Sequence, residues 1–295
     1  MSAAKTGHPV AFLDVFAERP LAGNGLAVVN EADGVGDEVM TAFATETRLS
    51  ETTFVQSPGD GAADYRNRIV IPGAEIPFAG HPSLGTAVAV ARWRGQERGS
   101  FVQQTGTGLQ PVDVSREQDG DGGWERWRAT MLQGEPELGE ELDPAEALAA
   151  AGLEPADADP ELGPGLASTG LLTAIVPVAG RDSLPRARLD PEAVAGLLAP
   201  ADDGMLYLVR VEPESGRAWA RSFAPQASVG EDPATGSSAG AFCAWVADRT
   251  GCERLTISQG EEMGRPSVLE VEIEGDGVRV GGSVIPLIDG RVRLP

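Results

Sequence analysis

Lysine is almost missing from this 295-residue chain: Lys5 is the only one, and arginine carries the remaining positive charge. A lysine Schiff base in the folded body is therefore excluded as a catalytic device. Positive charge is scarce altogether. Lys and Arg number 23 against 45 Asp and Glu, which gives a formal net charge of −22 and a sequence pI of about 4.4. Nucleic-acid binding and adhesion to an anionic membrane both need a basic surface, so neither partner is expected. Cysteine is limited to Cys243 and Cys252. They form no CxxC pair and no ladder of metal-ligand spacing, so no metal site is expected. Apolar runs long enough to span a membrane are missing, and no apolar signal segment precedes His8. A cytoplasmic location is the default expectation.

What is present suits a soluble globular protein: 41% hydrophobic and 23% charged residues, in a length that two domains of ordinary size would fill. The strongest internal signal is a repeat. Pro77-x-x-Gly80 opens a run of small and apolar residues that closes at Gly95, and Pro233-x-x-Gly236 opens another that closes at Gly251. The Pro-to-Gly and Gly-to-Gly spacings are the same in both. Each run predicts a helix, about His81 to Arg94 and about Ser237 to Arg249. Each would start at a glycine-rich turn whose free N–H groups and positive dipole end can hold an anion. Two such helix starts facing one cleft would suit an anionic small molecule, most simply a carboxylate.

Around these helices the pattern predicts strands at Val10 to Phe16, Gly25 to Val29, Glu51 to Gln56 and Tyr65 to Ile71, with a short helix over Asp37 to Thr47. Short strands follow near Ser100 to Gln104, Leu109 to Val114 and Trp124 to Leu132. Further strands are predicted over Leu171 to Val178, Met205 to Val211 and Trp219 to Phe223, and around 255–258, 268–273 and 277–285. The acidic stretch 135–165 predicts one outer helix, Pro144 to Ala151. Many short strands and one long apolar helix per half predict an α+β fold of two pseudo-symmetric lobes, each a curved, mostly antiparallel sheet or barrel around a central helix. The Gly/Pro-punctuated stretch Asp113 to Gly123 is the expected crossover. It divides the chain into residues 1–115, joined by the last strand at about 285–295, and residues 124–284.

Few side chains suit acid/base chemistry. His8 reads as a frayed-end residue. His81 follows Gly80 and precedes Pro82, at the start of a helix suited to anions, and is the better candidate. Asp232 lies just ahead of the second helix, as a first-turn cap or a substrate-facing group. Glu231 reads as its solvated neighbour. Ser237 and Ser238, with the N–H groups around Gly236, read either as carboxylate clamps or as cap chemistry. Glu51, in Ser50-Glu51-Thr52-Thr53-Phe54, stands where a loop meets a strand, and pattern alone leaves it a surface glutamate. Cys243 reads as a small core residue.

At these residues the chain resembles the phenazine-biosynthesis PhzF-like family of the diaminopimelate-epimerase fold. The matching segments are FLDVFAERPLAGNGLAVV (12–29), SETTFV (50–55), RIVIPGAEIPFAGHPSLGTAVAV (68–90), FAPQASVGEDPATGSSAG (223–240) and QGEEMGRPSVL (259–269). Gly25 stands where the family commonly has proline, and Gln226 to Gly230 departs from the usual approach to EDP. The resemblance implies two lobes with the site between them, a homodimer, and no metal or organic cofactor. It implies that Glu51 is a proton-shuttling carboxylate and that His81 and Asp232 are flanking site groups. It also implies that Ser50, Gly80, Gly236 and Ser237 contact the substrate. The expected activity is a cofactor-independent isomerisation that moves a proton on a small carboxylate-bearing substrate. The rival expectations are an epimerase or racemase, which lacks its usual thiol pair here, and a non-catalytic binder of small acids.

Overall fold

The strands follow from how apolar residues alternate. In Arg254–Gln259 the side chains of Leu255, Ile257 and Gln259 are buried while Arg254 and Thr256 face out, the period of a half-buried strand. Met205–Glu212 is different: Met205 to Val209 are all buried, the signature of a strand covered on both faces. The computed structural model describes residues 7–59, 61–118, 122–199, 201, 204–224 and 230–295. It divides into two compact units, Met1–Met131 with Gly281–Pro295, and Leu132–Val280.

In the first unit, β1 (His8–Val15) pairs antiparallel with β2 (Asn24–Val29), and β2 pairs parallel with β3 (Glu51–Gln56). A parallel pair needs a crossover, here α1 (Asp37–Thr47). Next, β4 (Tyr65–Ile71) pairs antiparallel with β3 and with the short β5 (Ala74–Ile76). A second helix, α2 (Gly80–Trp93), crosses to β6 (Arg98–Thr105), which lies parallel to β4. From β6 the chain runs antiparallel through β7 (Gly108–Arg116) into β8 (Trp127–Gln133).

Every residue of α2 from His81 to Ala91 is buried, and the helix packs on β1, β2, β3, β4, β6 and β7. A helix covered all round must be apolar all round, and small where strands come close. A Cβ on Gly85 would meet Leu26 Cδ2 at 2.6 Å and Val15 Cγ2 at 2.9 Å.

The second unit repeats this order of pairings. After β9 (Glu137–Glu141) and α3 (Pro144–Ala150), β10 (Gly165–Ser168) pairs antiparallel with β11 (Leu172–Pro177). Helix α4 (Pro191–Leu198) lies on the crossover to the parallel β12 (Met205–Glu212). Antiparallel β13 (Arg217–Ala224) follows, with the short β14 (Gly230–Asp232) folded back on it. Then α5 (Gly236–Thr250) crosses to β15 (Arg254–Gln259), parallel to β13, and β16 (Ser267–Glu274) closes antiparallel. The last strand, β17 (Gly277–Val292), begins in this unit and ends in the first, where it pairs with β1. Helix α5 packs on β9, β10, β11, β15 and β16. Gly95 and Gly251, the two glycines that close the repeat, take positive φ of 66° and 75°.

Four expectations change. Asp113–Arg116 continues β7 instead of crossing between units, because the chain turns straight back to pair with β8. The division falls at Met131 and Leu132, and again at Val280 and Gly281. The Pro144 helix is not wholly external: Ala147, Leu148 and Ala150 pack into a core with Val194 and Leu198 of α4. His8 is not frayed; it opens β1 opposite Val292, with Nδ1 2.8 Å from the Glu31 carbonyl. The motif departure at Gln226 to Gly230 lies, up to residue 229, outside the described residues. Among the described residues no helix is long and apolar enough to cross a membrane.

Candidate active site

Glu51 is the first residue of β3, opposite Leu26 of the parallel neighbour. The strand behind it is firmly seated, since Thr52, Thr53 and Phe54 are fully buried. Thr53 Oγ1 lies 2.8 Å from Thr86 Oγ1, a buried link from β3 to α2. That link ties the middle of the strand to the middle of the helix, one turn and more past the helix start. At the starts of the two elements, His81 Nε2 stands 3.3 Å from Glu51 Oε2, with the His81 side chain 5% and the Glu51 side chain 16% exposed. Burial pushes the Glu51 carboxyl up to about 7, against the Ser50 hydroxyl, whose hydrogen bond favours the ionised form. A carboxyl that titrates near neutrality can both take and return a proton.

The other ring nitrogen of His81 faces Asn24, whose Nδ2 is 3.2 Å from Nδ1. Ser50 Oγ donates to Asn24 Oδ1 at 3.3 Å. Ser50, Glu51 and His81 are thus brought together with Asn24 around the starts of β2, β3 and α2, with Gly80 adjoining His81 in the chain. Asn24 was not among the residues singled out from the sequence. Its one signal is its place in the matching segment LAGNGLAVV. The helix start is bare of side-chain capping: the N-cap is Ala79, in extended conformation, and no acidic residue occupies the first turn. The positive end of the helix dipole therefore acts on groups beside Gly80 and His81.

In the second unit, Asp232 ends β14 opposite Ser222 and accepts a hydrogen bond from Thr235 Oγ1. Thr235 is the N-cap of α5, yet its side chain does not cap the helix. Gln259 braces the turn: its Nε2 donates to the Asp232 carbonyl at 2.8 Å and to Thr235 Oγ1 at 3.1 Å. Its Oε1 accepts from the Tyr207 hydroxyl at 3.0 Å. The carbonyl of Gly236 accepts from Gln133 Nε2 at 3.1 Å, and that of Ser237 lies 3.2 Å from Thr169 Oγ1. Asp232, Gly236 and Ser237 are thus held together around one helix start. Glu231 is not a solvated bystander. It forms a two-pronged ion pair with Arg221, both contacts 2.8 Å, and Arg221 also donates to the Leu184 carbonyl at 2.7 Å.

The cysteines lie away from this helix start. Burial pushes the Cys243 thiol up to about 12, and its Sγ is 3.6 Å from the Glu253 carbonyl. Among the described residues no three His, Cys, Asp or Glu side chains converge as a metal site.

A family model described as phenazine biosynthesis-like protein matches residues 13–290. A Pseudomonas aeruginosa relative named trans-2,3-dihydro-3-hydroxyanthranilate isomerase is 35% identical, covering 97% of this chain and 100% of its own. A solved structure from Pseudomonas aeruginosa, described as a predicted epimerase, superimposes with a TM-score of 0.81 at 32% identity, covering 97% of this chain and 99% of its own. The fold extends further, to a probable proline racemase from Agrobacterium radiobacter, with a TM-score of 0.58 at 15% identity and coverage of 98% and 92%. By the family match and the relatives' shared activity class, this chain belongs to the phenazine biosynthesis-like family and is an isomerase.

Proposed function

We propose that this isomerase moves a proton between two carbons of a small carboxylate-bearing substrate without a cofactor, with Glu51 as the group that carries it. The supporting observation is the Glu51 carboxyl itself, buried beside His81 Nε2 and brought by burial to a pKa of about 7. In the first step the Glu51 carboxylate takes a proton from a carbon acidified by a neighbouring carboxylate, alkene or imine. The C–H electron pair delocalises into that neighbour. In the second step the Glu51 acid, its proton open to exchange with solvent, delivers a proton to a different carbon, and the double bond shifts. The positive end of α2, beside His81, favours the negative charge that develops between the steps.

In this reading Asp232 keeps the role of flanking site group that the motif resemblance gives it, and Ser50, Gly80, Gly236 and Ser237 keep their substrate-contacting roles. The repeated order of strand pairings supports reading each unit as one lobe of a diaminopimelate-epimerase-like pair, with α2 and α5 as the central helices. An epimerase is the second reading, favoured by the description of the 32%-identical solved structure. It requires a second acid or base on the opposite face of one carbon. The two cysteines do not supply it, since Cys243 is buried and held thiol-like.

The test uses trans-2,3-dihydro-3-hydroxyanthranilate, the compound in the relative's name, and a panel of small unsaturated carboxylates, each incubated with the protein in D2O. Deuterium entering a carbon position, with a shifted double bond in the product, is the expected result. Label with unchanged connectivity would favour the epimerase. Neither label nor changed connectivity in any compound that binds would leave only a binding protein.

A further inference from the structure

We propose that Asn24 is a positioning residue that fixes the His81 ring in one tautomer, with the proton on Nε2 facing Glu51. The proposal deepens the proton-shuttle reading and rests on it for its catalytic meaning. The geometry is a chain of four side chains: Ser50 Oγ to Asn24 Oδ1 at 3.3 Å, Asn24 Nδ2 to His81 Nδ1 at 3.2 Å, and His81 Nε2 to Glu51 Oε2 at 3.3 Å.

The chemistry of the amide decides the tautomer. Its nitrogen has two N–H donors and no lone pair to offer. Facing Nδ1, it demands that Nδ1 accept. A neutral imidazole has one proton, so that proton sits on Nε2. The other end of the ring agrees, because an ionised carboxylate can only accept, and Glu51 Oε2 faces Nε2. The amide oxygen turns to Ser50 Oγ, 3.3 Å away, whose single proton also serves the Glu51 carboxyl. Asn24 itself is 2% exposed and opens β2 directly after a rigid turn. In that turn the Asp14 carboxylate accepts from the Leu21 amide at 2.7 Å. Gly23 takes φ +66°, where a Cβ would fall 2.3 Å from the Val15 carbonyl oxygen.

The consequence concerns which oxygen of Glu51 works. Oε2 is buried and lies 3.3 Å from Nε2, so the proton that Glu51 exchanges with substrate travels on the other oxygen, Oε1. A ring in the opposite tautomer would present a lone pair to Oε2. The acid proton would then be drawn to that oxygen and away from the substrate.

The test reads the ring directly. The chain has two histidines, so 15N-histidine labelling gives two ring systems, and His8→Gln assigns them. Long-range 1H–15N correlation spectra of the full chain are recorded well above the ordinary imidazole pKa of about 6.5. The expected pattern for His81 is protonated Nε2 and bare Nδ1. Asn24→Asp, nearly isosteric, puts an acceptor at Nδ1 and should move a proton there. It should lower kcat by at least ~10²-fold with KM little changed, since a wrong-tautomer substitution can cost ~10⁴. A wild-type ring protonated on Nδ1 alone would overturn the proposal even if the variant fails to fold. An unchanged ring pattern in folded Asn24→Asp would overturn it too. These outcomes are separable from the fate of the proton shuttle. If Glu51→Gln stays active while His81 carries the Nε2 proton, the shuttle falls and the tautomer assignment survives as structure only. If Glu51→Gln is inactive and the ring is protonated on Nδ1, the reverse holds.

Discussion

Glu51 Oε2 and His81 Nε2 lie 3.3 Å apart, although one residue opens a strand and the other a helix. Neither side chain is drawn out into solvent, and burial raises the carboxyl to about 7. Glu51→Gln should therefore leave the fold intact and lower turnover by ~10²–10⁴-fold, or more if the same group carries both proton transfers. Steady-state turnover of the purified variant checks this, and near-wild-type activity would remove Glu51 from the mechanism.

The pH profile follows from the same group. As the base of the free enzyme, Glu51 must be ionised, so kcat/KM should rise with pH and level off above an apparent pKa of about 7. A profile flat from about pH 5 to about pH 9 would mean that another group takes the first proton.

Stability should run the other way. The folded carboxyl titrates at about 7 and an ordinary one at 4.5, so the folded state holds the proton more tightly. Below about pH 4 both states are protonated and burial of this group carries no charge penalty. As pH rises the unfolded chain ionises first, and native stability falls until the pH passes 7. At 1.36 kcal/mol per unit the loss is on the order of 3 kcal/mol. Glu51→Gln removes it, so the inactive variant should melt higher than wild type above pH 7. The two melting curves should draw together as the pH approaches 4. Equal melting temperatures at about pH 8 would show that the carboxylate is better solvated than its position implies.

Local pattern made much of this fold legible. Asp37–Thr47, Glu51–Gln56 and Tyr65–Ile71 are the spans that apolar periodicity predicts, because each buries one face or one run of its own residues. The two long helices differ from expectation by a residue at each end. What escaped was either short or distant. β5 and β14 have three residues each, too few for a period. α4 was missed although Asp190-Pro191 announces it: the aspartate accepts from the amides of Glu192 and Ala193, and the proline fills the first turn. Asn24 meets His81, and Arg221 meets Glu231, only through folding, and no spacing along the chain states either pairing. Glu51 was marked by its motif alone, since its burial depends on how β3 seats against α2.

The Arg221–Glu231 pair should matter more for stability than its place near a chain turn suggests. Arg221 is 8% exposed and also holds the Leu184 carbonyl, so its charge is sunk in the second unit. Glu231→Gln leaves that guanidinium without its hydrogen-bonded countercharge. Removing one partner of a fully buried pair costs ~3–5 kcal/mol, and with Glu231 partly exposed the loss here should be about 2 kcal/mol. Replacing both residues by methionine should cost less than the single change. Chemical denaturation of both variants checks the order, and the reverse order would mean that the pair is well hydrated.

Two glycine-to-alanine changes should have opposite signs. Gly196 lies inside α4 with nothing within 4 Å of a built Cβ, and its φ is not positive. Alanine there restricts the unfolded chain and suits the helix, so Gly196→Ala should stabilise by ~0.4–1 kcal/mol. Gly240 lies inside α5, where a Cβ would fall 1.9 Å from Gln133 Oε1 and 3.2 Å from Thr169 Oγ1. Gln133 is buried, and with Thr169 it braces the carbonyls of Gly236 and Ser237. An added methyl must push that side chain out, at a cost of ~1–3 kcal/mol for overpacking. The brace on the helix start goes with it. Gly240→Ala should therefore lower the melting temperature and raise KM, while Gly196→Ala raises the melting temperature and leaves KM alone. A Gly240→Ala variant that is destabilised with unchanged KM would separate the helix start of α5 from substrate binding.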